Sequence, residues 1–282
     1  MSNSVRIGTI EAYEYTSDGR LASKLRDGFH DLMDAIALRR MWMILAGRDM
    51  RQETSRTLLG PFWTVIATSI QVGALGYVYG YLFSVEPELG FPSLAAGLVL
   101  WFYISSCVVG GLTVFQNGAS VLKERSFPVS FTVFRYLGRV VIELTYKFGV
   151  FFATLVLVQV WPGANMLLAI PCLALFLLNG IWVILLFGVI GARFSDVRQL
   201  VMPLMLIFFL ITPVLWPRKA MQGSLVAEIN PFTHYLEIVR EPLLGHDVPI
   251  ASLEIVLALT VIGFALAFFV FALNKDRIVF WV

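Results

Sequence analysis

Polar and charged positions punctuate the first sixty residues, whereas from Pro61 onward long apolar stretches alternate with short polar breaks. A helix that crosses a hydrocarbon core of roughly 30 Å needs roughly 20 apolar residues. Six stretches qualify: about 61–83, 93–116, 140–161, 166–191, 200–216 and 251–273. The third begins with charge. The fifth is short and carries Pro203 and Pro213, which predict a kink or break. The pattern predicts an all-α integral membrane protein with six transmembrane helices over 59–282.

Two segments read as helical without spanning. Within 31–58, Leu38, Met41, Trp42 and Leu45 share one face, and Arg39, Arg40, Arg48, Arg51 and Arg56 surround them. That is the pattern of an amphipathic helix lying in the membrane interface. A cytosolic helix packed on a partner is the other reading. Leu59-Gly60-Pro61 would turn this flat helix into the first span, because Gly permits unusual dihedrals and Pro needs no donor at a helix start. Residues 1–30 read as a loosely ordered cytosolic tail. Residues 217–250 are too polar to cross. Asn230-Pro231 reads as a turn and "THYLEIVRE" as a short helix, with Tyr235, Ile238 and Val239 toward lipid or other spans. Glu237, Arg240 and Glu241 are then expected on the wet side. A re-entrant or interfacial helix pair between spans five and six fits this spacing, and a surface loop is the alternative.

Composition agrees with the pattern. Hydrophobic residues make up 58% and charged residues 14%, where soluble domains carry about 25% charge. The placement of cations sets the orientation. Nine Lys and Arg lie in residues 1–60, and Lys123, Arg125, Arg135, Arg139, Arg193, Arg198, Lys275 and Arg277 fall on the same side. Only Arg218, Lys219 and Arg240 fall opposite. Both termini are therefore expected in the cytosol, with no signal peptide. Cys107 and Cys172 lie in apolar stretches and read as packing residues.

Candidate chemistry is sparse. Arg139, Glu143 and Lys147 share a helix face at spacing four; they are either a functional intramembrane stripe or a set near the inner interface with Lys147 snorkelling. There is no phosphate-binding G-x-x-x-x-G-K-[ST], no H-E-x-x-H and no G-x-S-x-G, and the three histidines have no metal-ligand spacing. Any vectorial work must draw on a partner or a gradient. Aromatic positions at Tyr77 and Tyr81, at Trp101, Phe102 and Tyr103, and at Phe148, Phe151 and Phe152 suit a lipid belt, a packing core or stacking on sugar rings.

Three stretches together resemble the permease subunits of ABC transporters that export polysaccharides, namely O-antigen, capsule and teichoic acid exporters. They are "GRDMRQETSRTLLGPFWTVI", "GARFSDVRQLVMPLMLIFFLITPVLWP" and "INPFTHYLEIVREPLLG", and the likeness covers residues 35–282. The long N-terminal tail departs from it. The resemblance implies a homodimer served by two separate ATPase chains that bind the ATP, so that this chain is no enzyme and holds no cofactor. It implies a lipid-linked polysaccharide as cargo, O-antigen first, across the bacterial inner membrane, with membrane lipids but no nucleic acid as further partners. It places ATPase coupling in 117–128, with Lys123, Glu124, Arg125, Phe127 and Pro128. Outer gate helices would lie in 218–245, with Asn230, Pro231, Tyr235 and Arg240. Tyr77, Tyr81, Trp101, Phe102 and Tyr103 become channel candidates, and Arg51, Arg56, Leu59, Gly60 and Pro61 the access and hinge region. Related permeases for lipids or drugs, and a membrane-embedded glycosyl- or acyltransferase, are the alternatives. The transferase lacks support because the one dense polar cluster has neither nucleophile nor histidine.

Overall fold

A computed structural model describes residues 21–54, 57–83, 86–123, 127–215 and 228–282. Among these residues the fold is entirely helical. In chain order the helices are α1 (Leu21–Ala37), α2 (Arg39–Thr54), α3 (Phe62–Phe83), α4 (Pro87–Ser105), α5 (Val114–Asn117), α6 (Ala119–Lys123), α7 (Phe131–Leu157), α8 (Ala169–Arg193), α9 (Val197–Ile211), α10 (Pro231–Leu243) and α11 (Ile250–Trp281). Among the described residues, five helical stretches are long and apolar enough to cross a membrane: Phe62–Tyr81, Gly90–Gly110, Phe131–Leu157, Ala164–Arg193 and Ile250–Trp281.

The fifth expected span is shorter than drawn. α9 has 15 residues and stops at Ile211. The cause is Pro213, which disfavours the helical region for the residue before it; Thr212 accordingly adopts φ −76 and ψ 140. The third span, in contrast, starts at Phe131 rather than near 140. Its charges do not delay the helix because neighbours neutralise them. Arg135 forms a two-pronged pair with Asp49, Nε to Oδ2 at 2.6 Å and Nη2 to Oδ1 at 2.5 Å, and Lys147 Nζ lies 2.6 Å from Glu143 Oε1. α11 extends well beyond the expected 273; at 1.5 Å per residue its 32 residues reach about 48 Å, so Lys275 and Arg277 ride on the projecting end.

α4 forms the middle of the bundle, with 67% of its apolar window buried. It runs into a π-helical turn, Ser106–Gly110, whose Ser106 carbonyl accepts from the Tyr136 hydroxyl at 3.0 Å. α7, α8 and α10 pack around it, and α8 lies along α11.

The N-terminal region differs from expectation in two ways. α1 occupies residues 21–30 of the stretch expected to be a tail, and the flat helix is two helices broken at Leu38. α1 is drawn in by close packing: a Cβ at Gly28 would lie 2.8 Å from the Cβ of Ala272 on α11. α2 lies on α7, where Trp42 stacks on Phe134 at a centroid distance of 5.9 Å, and Met41, Met43 and Ile44 stay exposed. Trp42 thus anchors the helix to the bundle. The deeper reason for the position of α1 is Asp31, which is buried. Its carboxylate accepts from the Val129 and Ser130 amides, both at 2.9 Å, and from the Ser130 hydroxyl at 2.6 Å. These donors sit at the start of α7, so a side chain on α1 caps a helix 99 positions later. Anions are favoured at that end of a helix dipole. Lys275 Nζ, 3.9 Å from Asp31 Oδ2, brings α11 to the same point.

Asp31→Ala removes the acceptor and leaves buried amides unpaired, at a cost of about 1–3 kcal/mol. The thermal midpoint of the purified protein falls for Asp31→Ala and stays unchanged for Glu254→Gln, at an exposed position on α11.

Candidate functional site

At one end of the bundle, the corner between α2 and α3 is built by Gly60, whose φ of +55 lies in the left-handed region. The Gly60 and Pro61 carbonyls accept from the amides of Trp63 and Thr64, at 3.3 and 3.2 Å. Leu59 is exposed beside them, and Arg51 is exposed on α2, while Arg56 lies outside the described residues. The corner touches α7 through Phe62, whose ring meets Tyr146 edge-on at 6.1 Å.

The segment expected to couple, 117–128, spans the end of α5, then α6, and the approach to α7. Leu122 is buried and Lys123 exposed; Glu124 and Arg125 lie outside the described residues. Phe127 stacks on Phe131 at 4.8 Å, which folds Pro128 back onto the first turn of α7. Gln116 Nε2 donates to the Gly191 carbonyl at 2.7 Å, joining this segment to the end of α8.

The expected channel aromatics separate into two groups. Tyr77 and Tyr81 project from α3 and are 74% and 80% exposed. Trp101 and Tyr103 are buried inside the single chain. Trp101 packs against Phe209 and Phe232, and the Tyr103 hydroxyl donates to the Leu177 carbonyl at 2.9 Å. Phe102 lies between α4 and α7, with Lys147 Nζ 4.5 Å from its ring centre. The Glu143–Lys147 pair is therefore compensated in place by its own salt bridge and by an aromatic face.

On the opposite side α10 is clamped to the broken end of α9. Asn230 caps α10, its Oδ1 accepting from the Phe232 amide at 3.1 Å while its Nδ2 donates to Thr212 Oγ1 at 2.8 Å. Pro231 takes the first helical turn, where its missing amide hydrogen is not needed. Arg240 Nη1 donates to the Pro213 carbonyl at 2.5 Å. The break after α9 frees that carbonyl, and α10 supplies the donor. Glu237 and Arg240 are both only 1% exposed, which corrects their expected placement on a wet face. They face inward because partners lie there: Arg240 gains the Pro213 carbonyl and the Glu241 carboxylate, whose Oε1 is 3.8 Å from its Nε, with Glu237 as a second, smaller favourable charge. Ser252 donates to Glu237 Oε2 at 2.8 Å and lies 3.0 Å from His234 Nδ1, tying α10 to α11. Of the expected helix pair before α11, only this second member is described; the first falls mostly within 216–227, outside the described residues.

Tyr235 is half of a contact that sequence reasoning missed. Its hydroxyl donates to Asn179 Oδ1 at 2.9 Å. The same oxygen accepts from Trp182 Nε1 at 2.6 Å, and Asn179 Nδ2 lies 2.9 Å from Thr260 Oγ1. A polar residue inside the run "LFLLNGIWVILL" was the available signal, since intramembrane amides are placed to bond across helices. Asp31 was harder to see, because its partners are 98 and 99 residues away.

Apolar spans, a polar clamp at one face and a helical corner at the other define a multi-pass membrane transport protein without a nucleotide-binding motif of its own. The chain belongs to the ABC-2 type transporter family, whose sequence profile matches residues 40–244, from α2 to just past α10. It is similar to the O-antigen export system permease protein RfbA of Myxococcus xanthus, at 21% identity over 216 residues that cover 74% of this chain and 82% of that protein. It is also similar to the polysialic acid transport protein KpsM of Escherichia coli, at 22% identity over 208 residues that cover 70% of this chain and 78% of that one.

Arg240→Ala leaves the Pro213 carbonyl without its donor and removes the cation beside Glu241 and Glu237, a change that costs about 1–3 kcal/mol or more, since a charged group is lost. Asn230→Ala loses a cap, typically about 1 kcal/mol. Membrane abundance and thermal midpoint are expected to fall steeply for the first and mildly for the second; equal effects would remove Arg240 from the centre of the clamp.

Proposed function

We propose that this chain is the permease subunit of an ABC exporter, that two copies form the transmembrane path, and that two copies of a separate ATPase bind the ATP and drive it. The proposed cargo is a lipid-linked polysaccharide, O-antigen in first place, moved outward across the bacterial inner membrane with both termini of the permease in the cytosol. One relative is named for O-antigen export and the other for polysialic acid transport, which supports a long glycan.

The observation that carries this reading is the state of α3. It is the least apolar of the five spans and also the least covered, with 17% of its window buried against at least 33% in the others. Its open face includes Tyr77 and Tyr81 together with Gln71 and Ser69. That open side mixes Tyr, Gln and Ser with the exposed Ile70 and Val78, a mixture that suits a second subunit or a glycan path. Tyrosine faces stack on the C–H patches of sugar rings with little demand on sequence, which suits a polymer that must slide. On this reading Gly60 is the pivot through which ATPase motion, received at 117–128, reaches α3, and Arg51 and Arg56 attract an anionic lipid headgroup nearby. The buried Trp101 and Tyr103 then hold α4 in place behind the path.

Two experiments test this. Tyr77→Ala combined with Tyr81→Ala removes exposed rings, so protein abundance is retained while surface glycan falls. Trp101→Ala empties packed space, at about 3–5 kcal/mol for a buried aromatic, and lowers abundance itself. Normal surface glycan in the double tyrosine variant would sink the α3 lining. Separately, Gly60→Val places a β-branched residue at positive φ, which such residues poorly tolerate, in a spot where no other atom crowds the new side chain. The variant is expected to assemble with its ATPase, hydrolyse ATP and fail to export. Full export by a well-expressed Gly60→Val protein would rule out the pivot.

A further inference from the structure

A cavity of about 340 Å³ lies inside the single subunit, between α4 with its π-helical turn, α8, α9 and the start of α10. Its walls include Cys107, Phe176, Val183, Met205, Phe208 and Phe232. The size falls in the range of small-molecule sites, about 300–1,000 Å³, and far exceeds the space a single water needs.

The wall carries polar groups, but they are turned on one another. The Tyr235 hydroxyl and Trp182 Nε1 both donate to Asn179 Oδ1, the Asn179 amide nitrogen donates to the Leu175 carbonyl and approaches Thr260, and the Tyr103 hydroxyl donates to the Leu177 carbonyl. A buried water requires two to four polar partners, and these groups already have theirs. The space is therefore dry. An unfilled apolar void forfeits the dispersion contacts of its whole lining, so an apolar occupant is strongly favoured. The lining residues of α8, Phe176 to Phe187, fall in the middle of that helix, where the surrounding solvent is hydrocarbon. Leu204 and Phe208 line the cavity yet are 39% and 36% exposed, so it communicates with the outer surface of α9. Cys107 and Val108 belong to the π-helical turn, a local winding that recurs at functional sites.

We propose that this cavity binds one hydrocarbon chain, inserted past α9 and held against the polar knot at Asn179. Two sources share that chemistry: an acyl chain of a bilayer phospholipid and the polyprenyl chain of a lipid-linked cargo. The site itself does not depend on the export reading; only the second source does. An occupied cavity would also brace α9 against α8 and α10.

The test uses the full-length protein in phospholipid nanodiscs, in two arms. One contains a phospholipid with a diazirine at the end of an acyl chain, the other a diazirine-bearing polyprenyl phosphate. After illumination, labelled residues are mapped by peptide mass spectrometry. Label is expected at Cys107 and Met205, both buried, in addition to the exposed Val261 and Ile262 of α11. Val183→Trp fills the cavity and is expected to abolish label at Cys107 and Met205 while leaving that on α11; Val201→Trp, from the facing wall, provides a second filler. Label from the acyl probe identifies a membrane lipid, and label from the polyprenyl probe alone identifies the cargo's own chain. Label confined to α11 in both arms, or cavity label that survives both fillers, overturns the proposal. Labelling is read on the protein and not on surface glycan, so this outcome is independent of whether the chain exports polysaccharide.

Discussion

A polar group that reaches hydrocarbon must find a partner inside the protein, because leaving it bare costs several kcal/mol. The arrangement of this chain follows from where that requirement falls. Asp31 meets it at one end by capping α7, Asn179 meets it in the middle by collecting donors from Trp182 and Tyr235, and Arg240 meets it at the far end by taking the Pro213 carbonyl. Each joins helices distant in sequence. Apolar packing alone discriminates weakly among helices in a membrane, since lipid tails are as apolar as the side chains themselves. The polar contacts supply the register.

These contacts are unevenly distributed. α4, α8, α10 and α11 share bonds or close packing, whereas α3 and α9 expose most of their length. α9 is held at its far end, where Asn230 and Arg240 seize Thr212 and Pro213, and is loosely backed below by the cavity. α3 is held near its corner by Phe62 on Tyr146 and farther along by Gly76, which admits the Phe91 ring of α4. α9 is thus fastened chiefly at its far end, and α3 along the side that faces α4 and α7.

Much of the frame was legible in the sequence because hydrophobic runs report burial in lipid directly. Most span positions, the Gly60 corner and the turn at Asn230-Pro231 follow from local chemistry: run length, a residue that tolerates positive φ, and a proline that opens a helix. Errors arose where a local rule met a distant partner. Charge at Arg135 and Lys147 reads as a barrier to a span, yet Asp49 and Glu143 remove the barrier. Glu237 and Arg240 read as a wet face by amphipathic spacing, but partners inside the protein draw both inward. Residues 21–30 read as tail because nothing nearby shows that Gly28 admits Ala272 or that Asp31 has amides waiting for it. Asn179 was visible as an anomaly, and only the fold reveals that it is a hub. Trp101 and Tyr103 cannot be told from exposed aromatics by sequence, since a span facing lipid and a span facing its own bundle have the same composition.

The contacts of the N-terminal helices converge on one place. Asp31 binds the amides just before α7, Asp49 binds Arg135 in its second turn, Trp42 stacks on Phe134, and Phe127 stacks on Phe131. Lys275 adds the projecting end of α11. Within residues 129–135, then, α1, α2, the end of the 117–128 segment and α11 are all fastened together. The stacked phenylalanines and the bidentate ion pair tie Phe127 and α2 to the first two turns of α7. Between α2 and the first turn of α3 stands Gly60, at positive φ. If an ATPase acts on the 117–128 segment, as proposed, the start of α7 is the place where its push meets α1, α2 and α11 together.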